Sequence, residues 1–211
     1  MIHKLAQKIA EYLNQQLNFG DSRQSIISYG LEIMLGGLVK LVSFISIPAV
    51  FGMLPQTWAA MLAATFFRLP AGGAHLTAYY RCLIGYLLTF CLIGVFAKVT
   101  ASYIPVDLLF LITLGLALIA AAIWAPADTE AKPLTRPADK RKAKIWAFGV
   151  LAFYLYIWIT YDIPTDLLLA GSVGLLLQVF TITPSGYWIM DKLDRFLFKI
   201  TFPLIGRKEV T

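Results

Sequence analysis

LLFLITLGLALIAAAIWAPA, residues 108–127, runs for twenty positions without a charged side chain. A helix that crosses the hydrocarbon core of a bilayer needs about 20 mostly apolar residues, so this stretch alone has the length and composition of a span. Working outward, comparable uncharged runs cover Leu41–Phe67, Cys82–Ala97, Ile145–Tyr161 and Leu167–Met190. Apolar residues make up 59% of the 211 positions and charged residues 14%. An ordinary soluble domain carries about 25% charged residues, so this chain has too little polar material to cover a water-facing surface. The expected fold is all-α: one polytopic integral membrane domain over residues 1–211, with no separate soluble domain.

Prolines and glycines at Pro48, Gly52, Pro55, Pro105, Pro126, Pro164 and Pro184 punctuate the apolar runs. They predict six transmembrane helices at about 26–50, 54–68, 82–101, 105–125, 145–161 and 164–183. The second is the weakest, short enough to be re-entrant, but charge argues for a crossing. The stretch from Arg68 to Arg81 has two arginines and no acid. The loop 126–144 holds Lys132, Arg136, Lys140, Arg141, Lys142 and Lys144 against three acids, and the tail 184–211 is also basic. On the other side lie only Lys98, Asp107, Asp162 and Asp166. Positive residues are retained in the cytoplasm, which puts both termini, the basic loop and the segment 68–82 in the cytosol. A re-entrant second segment would move the six-base loop outside. The turn Ile104-Pro-Val-Asp-Leu-Leu109 recurs as Ile163-Pro-Thr-Asp-Leu-Leu168, consistent with two hairpins sharing one kind of outer turn.

The first 24 residues have no continuous apolar run and do not read as a cleavable signal peptide. Ile2, Leu5, Ile9, Leu13 and Leu17 recur at helical spacing, with Lys4, Lys8, Glu11 and Gln15 on another face. This is the pattern of an amphipathic helix on a membrane surface, or equally of a helix packed on protein. Within the spans, Glu32, Lys40 and Gln178 are costly in an apolar medium and are functional candidates on that ground.

The segment Arg68-Leu-Pro-Ala-Gly-Gly-Ala-His75-Leu-Thr-Ala-Tyr-Tyr-Arg-Cys82 carries the chemistry. An imidazole beside a thiol can take its proton and leave a nucleophilic thiolate. A lone His–Cys pair is more often structural, but this one lies at the cytosolic mouth of the third span, behind two glycines where backbone can approach a substrate. Seven residues of straight helix would separate the two Cα atoms by about 10.5 Å, too far for a direct hydrogen bond. His75 and Cys82 therefore cannot share one straight helix if they act together. Cys91 falls nine residues after Cys82, about 180° around a helix, and reads as an apolar filler.

An Arg, then Gly-Gly-x-His, six residues and a Cys resembles the signature of the accessory gene regulator B (AgrB) family. Tyr29-Gly30-Leu31-Glu32 and Ala125-Pro126-Ala127-Asp128…Lys132-Pro133-Leu134 match it as well. Members are bacterial membrane endopeptidases that process AgrD, the precursor of a cyclic quorum-sensing peptide. The resemblance implies that Cys82 is the nucleophile, that His75 is its general base and that the protein is a dimer in the cytoplasmic membrane. It also implies attack on a peptide bond near the acidic C-terminal part of the precursor, then ring closure of the thioester to a thiolactone or lactone. Arg68, or N–H groups near Gly72 and Gly73, are candidates for stabilising the oxyanion; Arg68 reads equally as an interfacial anchor. Lys140, Arg141 and Lys142 are candidates for docking the acidic tail, and equally for contacting anionic lipid. No metal, cofactor or nucleic acid is expected. The competing expectation is a small membrane transporter or peptide exporter, which the duplicated hairpins, Lys40 and Gln178 would suit.

Overall fold

The computed structural model describes residues 2–18, 20–74, 76, 78–127 and 136–205, the side chains of residues 21 and 200–205 excepted. His75 of the expected dyad lies outside the described residues, as do Asp128, Lys132, Pro133 and Leu134. The described residues are helical with no strand, and divide into two units, Met1–Val50 and Phe51–Thr211.

The first unit is a hairpin of α1 (Ile2–Leu17) and α2 (Asp21–Val50). The face of α1 that packs on α2 is small: Ala6 and Ala10 are fully buried. At one end His3 Nδ1 meets Glu32 Oε2 at 2.8 Å. At the other, Asn14 donates to Gln24 Oε1 at 2.7 Å and accepts from the amide of Gly20 at 3.0 Å. Gly20 turns the chain at φ +86°, a conformation that a Cβ would strain. Glu32 thus has a local partner in the N-terminal helix, while Leu5, Tyr12 and Leu17 stay exposed. Lys40 is half-buried on α2.

In the second unit follow α3 (Leu54–Ala71), α4 (Tyr79–Thr100, extended by a 3-10 turn over Ala101–Tyr103), α5 (Val106–Trp124), α6 (Pro137–Thr160), α7 (Thr165–Thr181) and α8 (Pro184–Ile205). All six expected segments are helical. Four helices among the described residues are long and apolar enough to cross a membrane: Ser22–Val50, Tyr79–Tyr103, Val106–Trp124 and Pro137–Thr160. A fifth exists only if α7 and α8, bent by 88°, count as one. The expected six therefore reduces to four or five by length and composition, and the two that fall short are α3 and α7. α7 falls short in length, at 17 residues, and α3 in apolarity, carrying Gln56, Thr57 and Arg68. α3 and α7 pack on each other and are flanked by α4, α5 and α6. Gln56, Thr57, Ala60, Ala64 and Phe67 of α3 and Ser172, Gly174 and Gln178 of α7 are buried against protein. A helix enclosed by other helices can carry small and polar residues that a lipid-facing helix excludes. At the crossing a Cβ on Gly174 would fall 2.2 Å from the Ala60 carbonyl oxygen, so the two backbones touch.

The repeated turn is real in structure. Pro105 and Pro164 both stand at N-caps, and Asp107 and Asp166 fall in the first turns of α5 and α7, where negative charge suits the helix dipole. Each carboxylate also ties its helix to another: Trp158 Nε1 donates to Asp107 at 2.9 Å and Gln56 Nε2 to Asp166 at 2.6 Å.

α6 starts at Pro137, with Arg136 as N-cap and Asp139 in its first turn. Lys140, Arg141, Lys142 and Lys144 hence stand on the first two turns of a helix rather than in a loop. Sequence reading begins that helix at 145 because apolarity begins there; helicity does not wait for it. Lys144 donates to the carbonyl of Ala122 in the last turn of α5, a favourable place for a cation. The corner between α7 and α8 closes because residue 186 is glycine: a Cβ there would lie 2.0 Å from the Phe180 carbonyl oxygen. Thr183 Oγ1 accepts from the Gly186 amide at 3.1 Å and caps the new helix.

Candidate active site

The glycine pair ends α3 and shapes the segment behind it. Gly72 donates its N–H to the Arg68 carbonyl at 2.8 Å and turns at φ +74°, and Gly73 follows at φ +126°. Both are left-handed conformations that glycine adopts without penalty. Space is as tight as the dihedrals: a Cβ on Gly72 would be 2.1 Å from the Ala127 carbonyl oxygen, and one on Gly73 2.8 Å from Thr181 Oγ1. Gly72 bridges Ala127, whose N–H donates to the Ala71 carbonyl at 2.8 Å. The Ala-Pro-Ala stretch after α5 is therefore a backbone partner of the glycine segment.

Two side chains named from the sequence converge here. Arg68 donates from Nη2 to the carbonyls of Gly73 (3.0 Å) and Ala74 (2.8 Å), and from Nη1 to Gln178 Oε1 (3.1 Å). Gln178, buried on α7, donates from Nε2 to the Gly72 carbonyl at 2.8 Å. The Ala74 amide donates to the Thr181 carbonyl at 2.9 Å. Arg68 and Gln178 together hold three successive carbonyls, those of residues 72–74. Much of the guanidinium is spent on the chain itself, and the Gly72 amide is spent on capping α3.

The segment returns to helix at Tyr79, so Cys82 sits in the first turn of α4, its amide donating to the Ala78 carbonyl at 3.0 Å. Residues 76 and 78 are not helical. No single helix runs from the glycine segment through Cys82. Cys82 is half-buried and is not in a disulfide among the described residues. The amide dipoles of the first turn favour negative charge there.

Sequence reading missed two neighbours of this thiol. Arg81 is buried, and its Nη1 lies 2.9 Å from Asp194 Oδ1 and donates to the Asp194 carbonyl at 2.8 Å. The guanidinium thus meets both the carboxylate and the backbone of residue 194. Phe198 adds its ring face 5.6 Å from the guanidinium carbon. The residue before Cys82 is thus locked to α8, more than a hundred positions away. The available signal was a segment 68–82 with two bases and no acid of its own. Tyr86, the second neighbour, lies one turn after Cys82 with its ring centroid 5.9 Å from the Arg68 guanidinium carbon.

Comparison with known proteins bears on this arrangement. A family model described as accessory gene regulator B matches residues 6–182, which takes in the glycine segment, Cys82 and Gln178 and stops short of α8. An AgrB-like protein of Clostridium perfringens (strain SM101 / Type A) is 24% identical over 215 residues, covering 95% of this chain and 100% of the relative. An AgrB-like protein of Listeria monocytogenes serovar 1/2a is 30% identical over 195 residues, covering 89% and 91%. No solved structure matches the chain. With the family model matched from α1 to the end of α7, the chain belongs to the accessory gene regulator B family.

Proposed function

We propose that the protein is a cysteine endopeptidase of the cytoplasmic membrane that cuts an AgrD-like precursor peptide near its acidic C-terminal part. Cys82 is the nucleophile and His75 the base that takes its proton. The thiolate attacks the scissile carbonyl, the amine of the tail leaves with the proton from His75, and a thioester on Cys82 remains. A Cys or Ser within the peptide then takes the acyl group and closes a thiolactone or lactone ring. A site at the membrane edge limits water and favours ring closure over hydrolysis. The observation that carries this reading is the position of Cys82: a half-buried cysteine in the first turn of α4, behind a glycine segment whose carbonyls are pinned by Arg68 and Gln178. In it Arg68 and Gln178 are positioning residues. Lys140, Arg141 and Lys142 dock the acidic tail, the active site and both termini face the cytosol, and the protein works as a homodimer among anionic lipids.

The test is co-expression with a tagged product of a short neighbouring reading frame that encodes an amphipathic leader, a Cys or Ser and an acidic tail. Cys82→Ser and His75→Ala are expected to abolish cleavage, whereas Cys91→Ala, on the opposite side of α4, leaves it near normal. Uncleaved precursor moved across the membrane by both inactive variants would instead identify a transporter.

A further inference from the structure

Tyr86 stands four residues after Cys82 on α4, so the two side chains share a face with Cβ atoms about 5–6 Å apart. Long side chains on a helix lean back over the turn that precedes them, which carries the phenol toward the level of the thiol. Its ring is held from two sides. It stacks on Phe90 with centroids 5.9 Å apart and planes 15° apart, and the Arg68 guanidinium lies at 5.9 Å. That guanidinium is the group that pins Gly73 and Ala74. The hydroxyl at the end of this fixed ring is buried and has no hydrogen-bond partner among the described residues. Buried tyrosine hydroxyls ordinarily find an acceptor, and one left without asks for an explanation.

We propose that the Tyr86 hydroxyl is a catalytic hydrogen-bond donor to the oxyanion that forms when Cys82 attacks a carbonyl. The inference rests on Cys82 being the nucleophile. As the C–S bond forms, the carbonyl π pair moves onto oxygen; Tyr86 donates a hydrogen bond to that oxygen and keeps its proton. On collapse the pair returns, the C–N bond breaks, and the amine leaves with the proton held by His75. A donor with no acceptor among the described residues stabilises the charge that develops in the transition state without first breaking another bond. The Gly72 amide cannot do this without giving up the Arg68 carbonyl.

The test separates acyl transfer from alkylation at one thiol. In the full-length protein carrying Cys91→Ala, solubilised in detergent, Cys82 is acylated with p-nitrophenyl acetate, which passes through a tetrahedral oxyanion. In parallel it is alkylated with iodoacetamide, which does not. Tyr86→Phe is expected to slow acylation by about 10–100-fold, short of the loss seen when a peptidase oxyanion donor is removed because the ester is activated. Alkylation should stay within about twofold. Equal acylation rates, or equal losses with both reagents, overturn the proposal. Should Tyr86→Phe fail to insert, 3,5-difluorotyrosine at position 86 decides: a more acidic phenol speeds acylation alone, and an unchanged or slower rate refutes the role. A wild-type chain that is acylated no faster than Cys82→Ala removes the nucleophile itself. That outcome is distinct from a reactive wild type matched by Tyr86→Phe.

Discussion

Breaking the pair between Arg81 and Asp194 one side at a time measures what α8 contributes to the turn that presents Cys82. The Arg81 side chain is 8% exposed and that of Asp194 16%, so neither charge has water to fall back on. Removing one partner of a buried pair typically costs about 3–5 kcal/mol, because the other charge is left uncompensated. Asp194→Asn keeps the hydrogen bond from Arg81 to the backbone carbonyl of residue 194 and belongs at the lower end, about 3 kcal/mol. Arg81→Met removes the contacts to the carboxylate and to that carbonyl together and belongs at the upper end, about 5 kcal/mol. Replacing both by apolar residues, Arg81→Met with Asp194→Leu, is expected to restore most of the loss. At roughly 2–4 °C per kcal/mol for a chain of this size, the single variants should melt about 6–20 °C lower and the double within a few degrees of wild type. Thermal unfolding in one detergent at one protein concentration reads the stability, and the alkylation rate of Cys82 reads the local turn. Single variants within about 1 kcal/mol of wild type, or a double variant losing the sum of both, would refute the assignment of a buried, mutually dependent pair.

Two further outcomes follow from contacts described above. Gly174→Ala should destabilise the protein by about 1–3 kcal/mol, since its Cβ would fall 2.2 Å from the Ala60 carbonyl oxygen, whereas Gly115→Ala on α5, with nothing within 4 Å, should be neutral or stabilising; equal melting temperatures would mean that α3 and α7 are not in backbone contact. Reversing Lys140, Arg141 and Lys142 to Glu should weaken binding of the tagged precursor, and salt should weaken wild-type binding in the same way because exposed charges are screened within about 10 Å at 0.1 M; unchanged affinity in a correctly inserted variant would leave these bases as topology signals alone.

Composition and the apolar runs determined the helical, membrane-length character of the chain by themselves, because the hydrocarbon core imposes a length and an apolarity that no water-facing helix needs. The Pro-Asp turns at 105–107 and 164–166 were legible for a similar reason: a fixed φ and a favoured charge at a helix start are local physics. The glycines at 72 and 73 announced a break, and the break is where α3 ends. Beyond that, the decisive contacts join residues whose pairing no local pattern encodes. Hydropathy cannot tell a lipid-facing helix from one enclosed by protein, so α3 and α7 were counted as spans although their buried faces mix apolar residues with Gln56, Thr57, Ser172 and Gln178. Gln178 could be singled out as costly within a span, but only the crossing of α3 and α7 brings it to the Gly72 carbonyl and the Arg68 guanidinium. Arg81 read as one more cytosolic charge, and Tyr86 was not singled out within the apolar run 82–97. Their burial against α8 and Arg68 is a property of packing across more than a hundred positions for the first, and of two helices meeting for the second. A single sequence records which residues dislike water; which of them share a site is settled when the helices pack.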